Sequence, residues 1–239
     1  MIKIILILLH LVIGIFCIIF FPIINRKLRK KLIMWWSLLL LKIFKINFTS
    51  NKKFEKILLN KNYLIVSNHI SWLDIFIINS SYPLAFVAKN SISKWPILNL
   101  LVKGAETIFI DRKKISKIKE TTNEVEDFLE TKGSICIFPE GTSTDGSRIL
   151  TFKGNLLQAA INKDIKILPI VIQYSHNKKF CSAPSYCGDL SLLDSLINII
   201  RLDNIEAKLT ILKEIKSKSD RKSLAKKAYL EINKVINKF

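Results

Sequence analysis

The chain has 239 residues, long enough for one domain with a buried core. Hydrophobic residues make up 49% and charged residues 24%, with a mean hydropathy of +0.27, a mixture that excludes an ordinary soluble domain unless the apolar residues are concentrated in one segment. The net charge of +19 suits an anionic partner, nucleic acid or a membrane surface. No nucleic-acid reader motif accompanies it, and the excess of Lys over Arg among frequent Ile and Asn matches AT-rich coding, so charge alone does not choose.

From Ile4 to Ile24 the sequence is almost continuously apolar. At ~1.5 Å per residue the run extends ~30 Å, enough to cross a bilayer. It is too long for the core of a signal peptide and no small-x-small cleavage site comes after it, which predicts an uncleaved anchor. Arg26, Lys27, Arg29, Lys30 and Lys31 come next, whereas Lys3 is the only charged side chain before the run; the asymmetry assigns the domain beyond the run to the cytoplasmic side. Leu32 to Phe44, with Trp35 and Trp36, is short for a span and reads as an interfacial or re-entrant helix, with a buried core helix as the alternative. Residues 1–46 are thus expected to form a membrane anchor, single-pass or monotopic, and 47–239 the domain it carries.

From Asn60 onward short strands and helices alternate. Tyr63–Ser67, Leu84–Ala88, Thr107–Ile110, Ser134–Phe138 and Ile167–Tyr174 read as strands; Ser71–Ser80, Ile97–Val102, Ile115–Glu130 and Leu156–Ile161 read as helices. Lys178 to Leu202 has the weakest pattern and is expected to be irregular. Ile205–Ile215 reads as a late strand, and Leu224, Ala228, Ile232, Val235, Ile236 and Phe239 recur at helical spacing. The fold class is α/β: a mostly parallel central sheet flanked by helices, preceded by an N-terminal transmembrane or interfacial helical segment.

Four short blocks carry chemistry. Ser67-Asn68-His69-Ile70-Ser71-Trp72-Leu73-Asp74 follows a buried strand and opens a helix, at the sheet edge where α/β proteins bind ligands. A His there can act as a general base near neutral pH, and Asp74, one helical turn on, can orient it. The competing reading makes Ser71-x-x-Asp74 a helix cap and His69 a plain loop residue. The second block ends at Arg112, just past a short strand, where a guanidinium could grip phosphate; a solvated basic turn is the alternative. The third, Phe138-Pro139-Glu140-Gly141-Thr142, puts an acid, a glycine and a hydroxyl at a strand end. The fourth, Ile167-Leu168-Pro169-Ile170-Val171, is a core strand with a tolerated proline.

In this order the four blocks resemble the glycerophosphate acyltransferase family, which includes the 1-acylglycerol-3-phosphate acyltransferases. The family's N-H-x-x-x-x-D runs here from Asn68-His69 to Asp74, its second block matches Phe109, Ile110, Asp111 and Arg112, and F-P-E-G-T is present unchanged. The resemblance spans residues 63–174. It implies that His69 deprotonates an acceptor hydroxyl, that Asp74 orients His69, and that Arg112 with the Glu140-Gly141-Thr142 turn positions an acceptor phosphate. It implies further that the acyl donor is a thioester of coenzyme A or of acyl carrier protein, with no resident cofactor. The acceptor would be a membrane lysophospholipid such as lysophosphatidic acid. One departure stands out: Ser143 occupies the place where many family members carry Arg. Arg148 or Lys153 could supply the missing charge, while the Thr-Ser-Thr-Asp-Gly ending of this block is similar to relatives that acylate lyso-ornithine lipid, whose acceptor lacks phosphate.

The rival classes fare worse. Gly141-Thr142-Ser143-Thr144-Asp145-Gly146 misses the G-x-S-x-G spacing of a serine hydrolase. A non-enzymatic membrane-binding protein leaves the placement of His69, Asp74, Arg112 and Glu140 at strand ends unexplained. His10, His69 and His176 are too dispersed for a zinc site, and the four cysteines, Cys17, Cys136, Cys181 and Cys187, match no disulfide framework or metal spacing.

Overall fold

The apolar opening of the chain does not continue as one long rod. In the computed structural model, which describes residues 2–59, 61–90, 96–111 and 115–238, helix α1 (Ile2–Ile19) ends before the apolar run does. After a turn, α2 (Arg26–Ile43) packs back against it. Asn25 starts α2, its side-chain oxygen accepting from the Leu28 amide, one of the N–H groups a helix start leaves unpaired. The two helices lock where the imidazole of His10 lies flat on the Trp36 indole, 4.3 Å between centroids, and Trp36 Nε1 donates to the His10 carbonyl at 2.9 Å. Gly14 makes room for that ring: a Cβ there would stand 2.8 Å from it.

Behind the hairpin stands a sheet that, among the described residues, has eight strands: β1 (Ile46–Ser50), β2 (Leu64–Ser67), β3 (Ala85–Lys89), β4 (Ile108–Ile110), β5 (Ile135–Ile137), β6 (Ile167–His176), β7 (Lys179–Phe180) and β8 (Ile205–Ile211). Their order is β1-β8-β6-β2-β5-β3-β4, with β7 hairpinned onto β6. Pairing is parallel except between β6 and β8 and between β6 and β7. The intervening helices are α3 (Phe54–Leu58), α4 (Leu73–Ser81), α5 (Pro96–Gly104), α6 (Ile115–Thr131), α7 (Leu157–Asn162), α8 (Leu192–Arg201) and α9 (Arg221–Ile236). The β2 run Leu-Ile-Val is apolar without alternation because both faces are covered. Ile65 joins the layer of Leu41, Leu73, Ile77 and Ile199, from α2, α4 and α8. Leu64 and Val66 join Leu129, Leu157 and Leu224, from α6, α7 and α9.

Two segments differ from the sequence expectation. Residues 178–202 are not irregular throughout: their second half is α8, started by a capping box in which Ser191 and Asp194 satisfy each other's amides. The helix is short and sets little more than Leu196, Ile199 and Ile200 against the core, too few turns for periodicity to stand out. Before Asn60, β1 and α3 also went unread, since β1 is a polar edge strand paired with β8 and largely exposed beyond Ile46. The late strand ends at Ile211, although Ile215 still exchanges main-chain hydrogen bonds with Ile167.

Both ends of α1 touch the same domain. Lys3 Nζ donates to the Ile200 carbonyl at 2.9 Å and pairs with Asp203 at 2.7 Å, beyond the end of α8. At the other end Ile18 packs on Gly104 of α5. Between them Trp36 reaches Phe76 of α4, 5.3 Å between centroids. The outer face of α1 is apolar and exposed, with Ile5, Leu8, Leu9, Val12, Phe16 and Ile19 each more than half open.

Candidate active site

The site forms where three strands end together. β2, β5 and β6 run parallel, Leu64 in register with Ile135 and Ile167, so their C-terminal ends share one edge. Asn68, the first residue past β2, prolongs the ladder with its side chain: Nδ2 donates to the Ile172 carbonyl at 2.9 Å and Oδ1 accepts from the Ile172 amide at 2.8 Å. That pair fixes the direction in which the next residue, His69, leaves the sheet.

His69 Nδ1 lies 2.8 Å from Asp74 Oδ2. The same oxygen accepts the Ile70 amide at 2.7 Å and the Ser71 amide at 3.0 Å, and Oδ1 accepts the Tyr174 hydroxyl at 2.8 Å. Four donors thus surround a carboxylate with no solvent exposure, as a buried polar group requires. The geometry combines features of both readings of the first block. Asp74 takes the Ser71 amide as a helix cap does, and it orients His69; Ser71 Oγ serves the Leu73 amide at 3.2 Å. Burial, then the adjacent Asp74 charge and the hydrogen bond to it, hold the Tyr174 phenol well above its usual range, so it remains a donor. With Nδ1 engaged, the second ring nitrogen, Nε2, is the one offered to a substrate; the His69 side chain keeps 22% exposure and stacks on Phe138 at 4.0 Å.

Glu140 faces inward. Its Oε1 accepts the His69 amide at 2.7 Å and its Oε2 the Leu150 amide at 2.8 Å, and the residue is 3% exposed. Both oxygens are occupied by main chain, so this acid braces the loop that carries His69 instead of reaching out with Thr142. Burial pushes its carboxyl up to about 7, against the opposing pull of those two amides and of His69. Gly141 follows with φ +84°, a left-handed turn that glycine adopts without strain. The turn is laced to its surroundings: the Lys153 amide donates to the Pro139 carbonyl at 2.9 Å, the Thr144 amide to the His69 carbonyl at 2.9 Å, and Ser143 Oγ to the Tyr186 carbonyl. Tyr186 in turn donates its amide to the Ile70 carbonyl at 2.9 Å, so the excursion after β7 straps the loop carrying His69.

The structure therefore brings His69, Asp74, Glu140, Gly141 and Thr142 to one edge, with the side chains of Thr142 and Lys153 exposed beside it. Arg112 lies outside the described residues; β4, which ends at Ile110, finishes at the same edge of the parallel array β5-β3-β4. Two contributors escaped the sequence reading, Tyr174 and the ladder role of Asn68. Tyr174 carried a signal, since a tyrosine in a buried strand needs a partner for its hydroxyl. Among the described residues no group of three or more His, Cys, Asp or Glu side chains could hold a metal ion. The Cys136 thiol, buried and near Asp74, is held well above its usual range and so is not a nucleophile.

Comparison with known proteins bears on the family and the fold. The family model described as Acyltransferase matches residues 45–173, more than half of the chain. The 1-acyl-sn-glycerol-3-phosphate acyltransferase of Neisseria gonorrhoeae is 33% identical over 147 residues, 61% of this chain and 57% of that protein. The chain thus spans just over half the length of that relative. The lyso-ornithine lipid O-acyltransferase of Pseudomonas aeruginosa is 28% identical over 202 residues, 84% of this chain and 76% of that one. The crystal structure of the 1-acyl-sn-glycerophosphate (LPA) acyltransferase from Thermotoga maritima shares the fold, with a TM-score of 0.69 at 18% identity, covering 93% of this chain and 86% of the other.

Proposed function

The chain belongs to the acyltransferase family, and from that premise we propose that it transfers a fatty acyl group from a thioester, of coenzyme A or acyl carrier protein, to the hydroxyl of 1-acylglycerol-3-phosphate, forming phosphatidic acid. The observation that carries this reading is the His69–Asp74 pair at the sheet edge, with Nδ1 tied and Nε2 available. His69 Nε2 takes the acceptor's hydroxyl proton as its oxygen attacks the thioester carbonyl. The tetrahedral intermediate collapses, the C–S bond breaks, and the thiolate leaves with the proton from His69. Asp74 holds the ring and offsets the transient imidazolium charge. No covalent acyl-enzyme arises on this path.

The acceptor is a lipid, and the protein meets it from one side of the bilayer. By length and composition α1 could cross a membrane. A crossing helix, however, has one end on the far side, whereas Lys3 and Ile18 both rest on the domain. We read α1 as lying in one leaflet, apolar face down, with Lys27 and Lys31, the exposed cations at the start of α2, at the headgroups of the cytoplasmic face.

A second acceptor, lyso-ornithine lipid, is favoured by Ser143. Its hydroxyl is committed to the Tyr186 carbonyl, and no cation stands at that position to meet a phosphate. The test is an acyl-transfer assay on purified protein with labelled acyl-CoA and acyl carrier protein thioesters against both acceptors. His69→Ala is expected to lower turnover by ~10²–10⁴-fold with the fold intact. Turnover near the wild-type rate in that variant rules the mechanism out, and turnover on lyso-ornithine lipid alone moves the protein to the phosphate-free branch.

A further inference from the structure

The helices on the face of the sheet away from α1 and α2 differ sharply in charge. α6 carries two cations and five acids, whereas α9 carries five cations, Arg221, Lys222, Lys226, Lys227 and Lys234, and one acid, Glu231. That acid is already paired, with Lys234 at 2.8 Å. Among the described residues the other four cations of α9 have no ion-pair partner, and all four are exposed. Leu230 is exposed as well, one turn from Lys226 and one turn from Lys234. The outer face of α9 thus has an apolar centre with charge around it, the anatomy of a protein-binding patch.

This helix runs beside the segment that leaves the Glu140 turn. A Cβ on Gly154 would stand 2.6 Å from the Arg221 carbonyl, Phe152 meets Tyr229 edge-on at 5.6 Å, and Gly146 lines one cavity with Ile236 and with Ile70, the residue after His69. The two segments are therefore antiparallel, and the exposed side chains of Lys153 and Arg148 continue the cationic surface of α9 toward the edge that holds His69. At ~1.5 Å per residue the 16 residues of α9 extend ~24 Å, about four turns, far more than one phosphate covers. The bilayer is not the match, because α1 and α2, which meet it in the reading above, lie on the other face of the sheet.

Resting on the acyl-transfer reading, we propose that the outer face of α9, continued by Arg148 and Lys153, docks an acidic carrier protein that presents the acyl thioester on a flexible arm. The donor then arrives from the aqueous side while the lipid acceptor arrives from the bilayer, and the two meet at the edge between the faces. Acyl carrier protein fits this surface better than coenzyme A does: the phosphates of one nucleotide cluster within a turn or so of helix, whereas a protein covers all of it and buries Leu230. Charges spread over such a surface steer encounter and select the partner.

Combining Lys222→Glu with Lys226→Glu reverses two exposed charges of α9 and touches no group of the site. At low ionic strength this double variant should raise KM for the acyl carrier protein thioester about tenfold and leave that for acyl-CoA within about twofold, and added salt should erase the difference. Lys52→Glu with Lys56→Glu makes the same change in net charge beside α3, on the opposite face, and should leave both KM values alone. Equal rises for the two thioesters, no rise for the carrier, or the same rise in the α3 control overturns the proposal. Should the glutamates lower Tm, Lys222→Gln with Lys226→Gln, which removes the charges without reversing them, replaces that variant. Binding of fluorescently labelled holo acyl carrier protein to the intact protein in detergent needs no turnover, so it distinguishes failure of the docking surface from failure of the acyl-transfer reading. Binding that the α9 variant loses supports the surface, and binding that is absent, or unchanged in the variant, overturns it. If the variant instead loses affinity for phosphatidylglycerol vesicles and keeps that for the carrier, α9 is a membrane contact and the proposal fails.

Discussion

Asp74 owes its position to more than the residue it serves. Its Oδ2 gathers His69 Nδ1 with the amides of Ile70 and Ser71, and its Oδ1 is held from the opposite side by Tyr174. Removing that hydroxyl leaves a fully buried carboxylate one donor short, so Tyr174→Phe should lower kcat about tenfold with little effect on either KM. A phenylalanine variant with unchanged kcat assigns Tyr174 to packing alone. Glu140 braces the same loop from below and gives it a pH dependence. Its carboxyl titrates near 7 in the folded protein and near the ordinary 4.5 in the unfolded chain. Between those values the folded state keeps a proton that the unfolded state has lost. The stability from this group is therefore complete below the unfolded value and is lost as pH rises through the folded one, a span worth about 3 kcal/mol. Glu140→Gln has no proton to release, so its Tm should fall less than the wild type's between about pH 5 and about pH 8. Parallel Tm profiles for the two proteins remove Glu140 as the cause. The placement of His69, Asp74 and Glu140 at one sheet edge was legible in the sequence, because the first and third blocks are contiguous runs that each follow a buried strand, whereas the roles of those residues came from the family resemblance. What was not legible is separated along the chain: Tyr174 stands 100 residues from Asp74 and Ile172 stands 104 from Asn68. Contacts at that distance follow from strand order, which local patterns do not encode. The inward turn of Glu140 was hidden for the same reason, since its partner Leu150 shows no polar side chain to betray a main-chain contact.

At the scale of elements, hydrophobic period read the buried strands and long helices correctly, and it failed where an element is short, edge-placed or one-sided, as with β1 and α8. The segment expected to be an anchor is the instructive case. Composition read α1 as apolar throughout, yet three of its residues are buried in a definite seam, Ile7, His10 and Gly14, with Trp36 seated against the last two. Trp36 is not free to yield: its Nε1 donates to the His10 carbonyl, its ring stacks on His10, and its far side meets Phe76. Gly14→Ala gains about 1 kcal/mol of helix propensity but forces a methyl into a ring 2.8 Å away. Overpacking of that kind costs about 1–3 kcal/mol, so the net effect is a loss. Thermal melting in detergent should show a lower Tm for Gly14→Ala, with α1 the first segment to lose amide protection in hydrogen exchange. A variant as stable as the parent contradicts this seam.

For the whole molecule, the decisive arrangement is that the proposed catalytic edge and the apolar face of α1 are joined through α2 and α4. α2 packs on α4, with Phe44 and Trp72 meeting at 6.0 Å close to the loop that carries His69, and α1 lies outside α2 with its open face of Ile, Leu, Val and Phe side chains. Burying that face in one leaflet sets His69 beside the headgroups of the same leaflet, where a single-chain lipid acceptor presents its hydroxyl. A helix that crossed instead would have to pull Lys3 away from Asp203 and Ile200 and carry that cation through hydrocarbon, giving up the packing of Trp36 as well. The two arrangements differ in which side of the membrane holds residue 2. In a background with Cys17 and Cys187 replaced by serine, Ile2→Cys and, separately, Lys56→Cys on the exposed surface of α3 give one reporter at the start of α1 and one on the domain. An impermeant maleimide applied to sealed inside-out vesicles should label both, because both ends of α1 lie on the domain's side. Labelling of the α3 reporter alone, with residue 2 reached only from the opposite compartment, makes α1 a span and dissolves the Lys3–Asp203 pair.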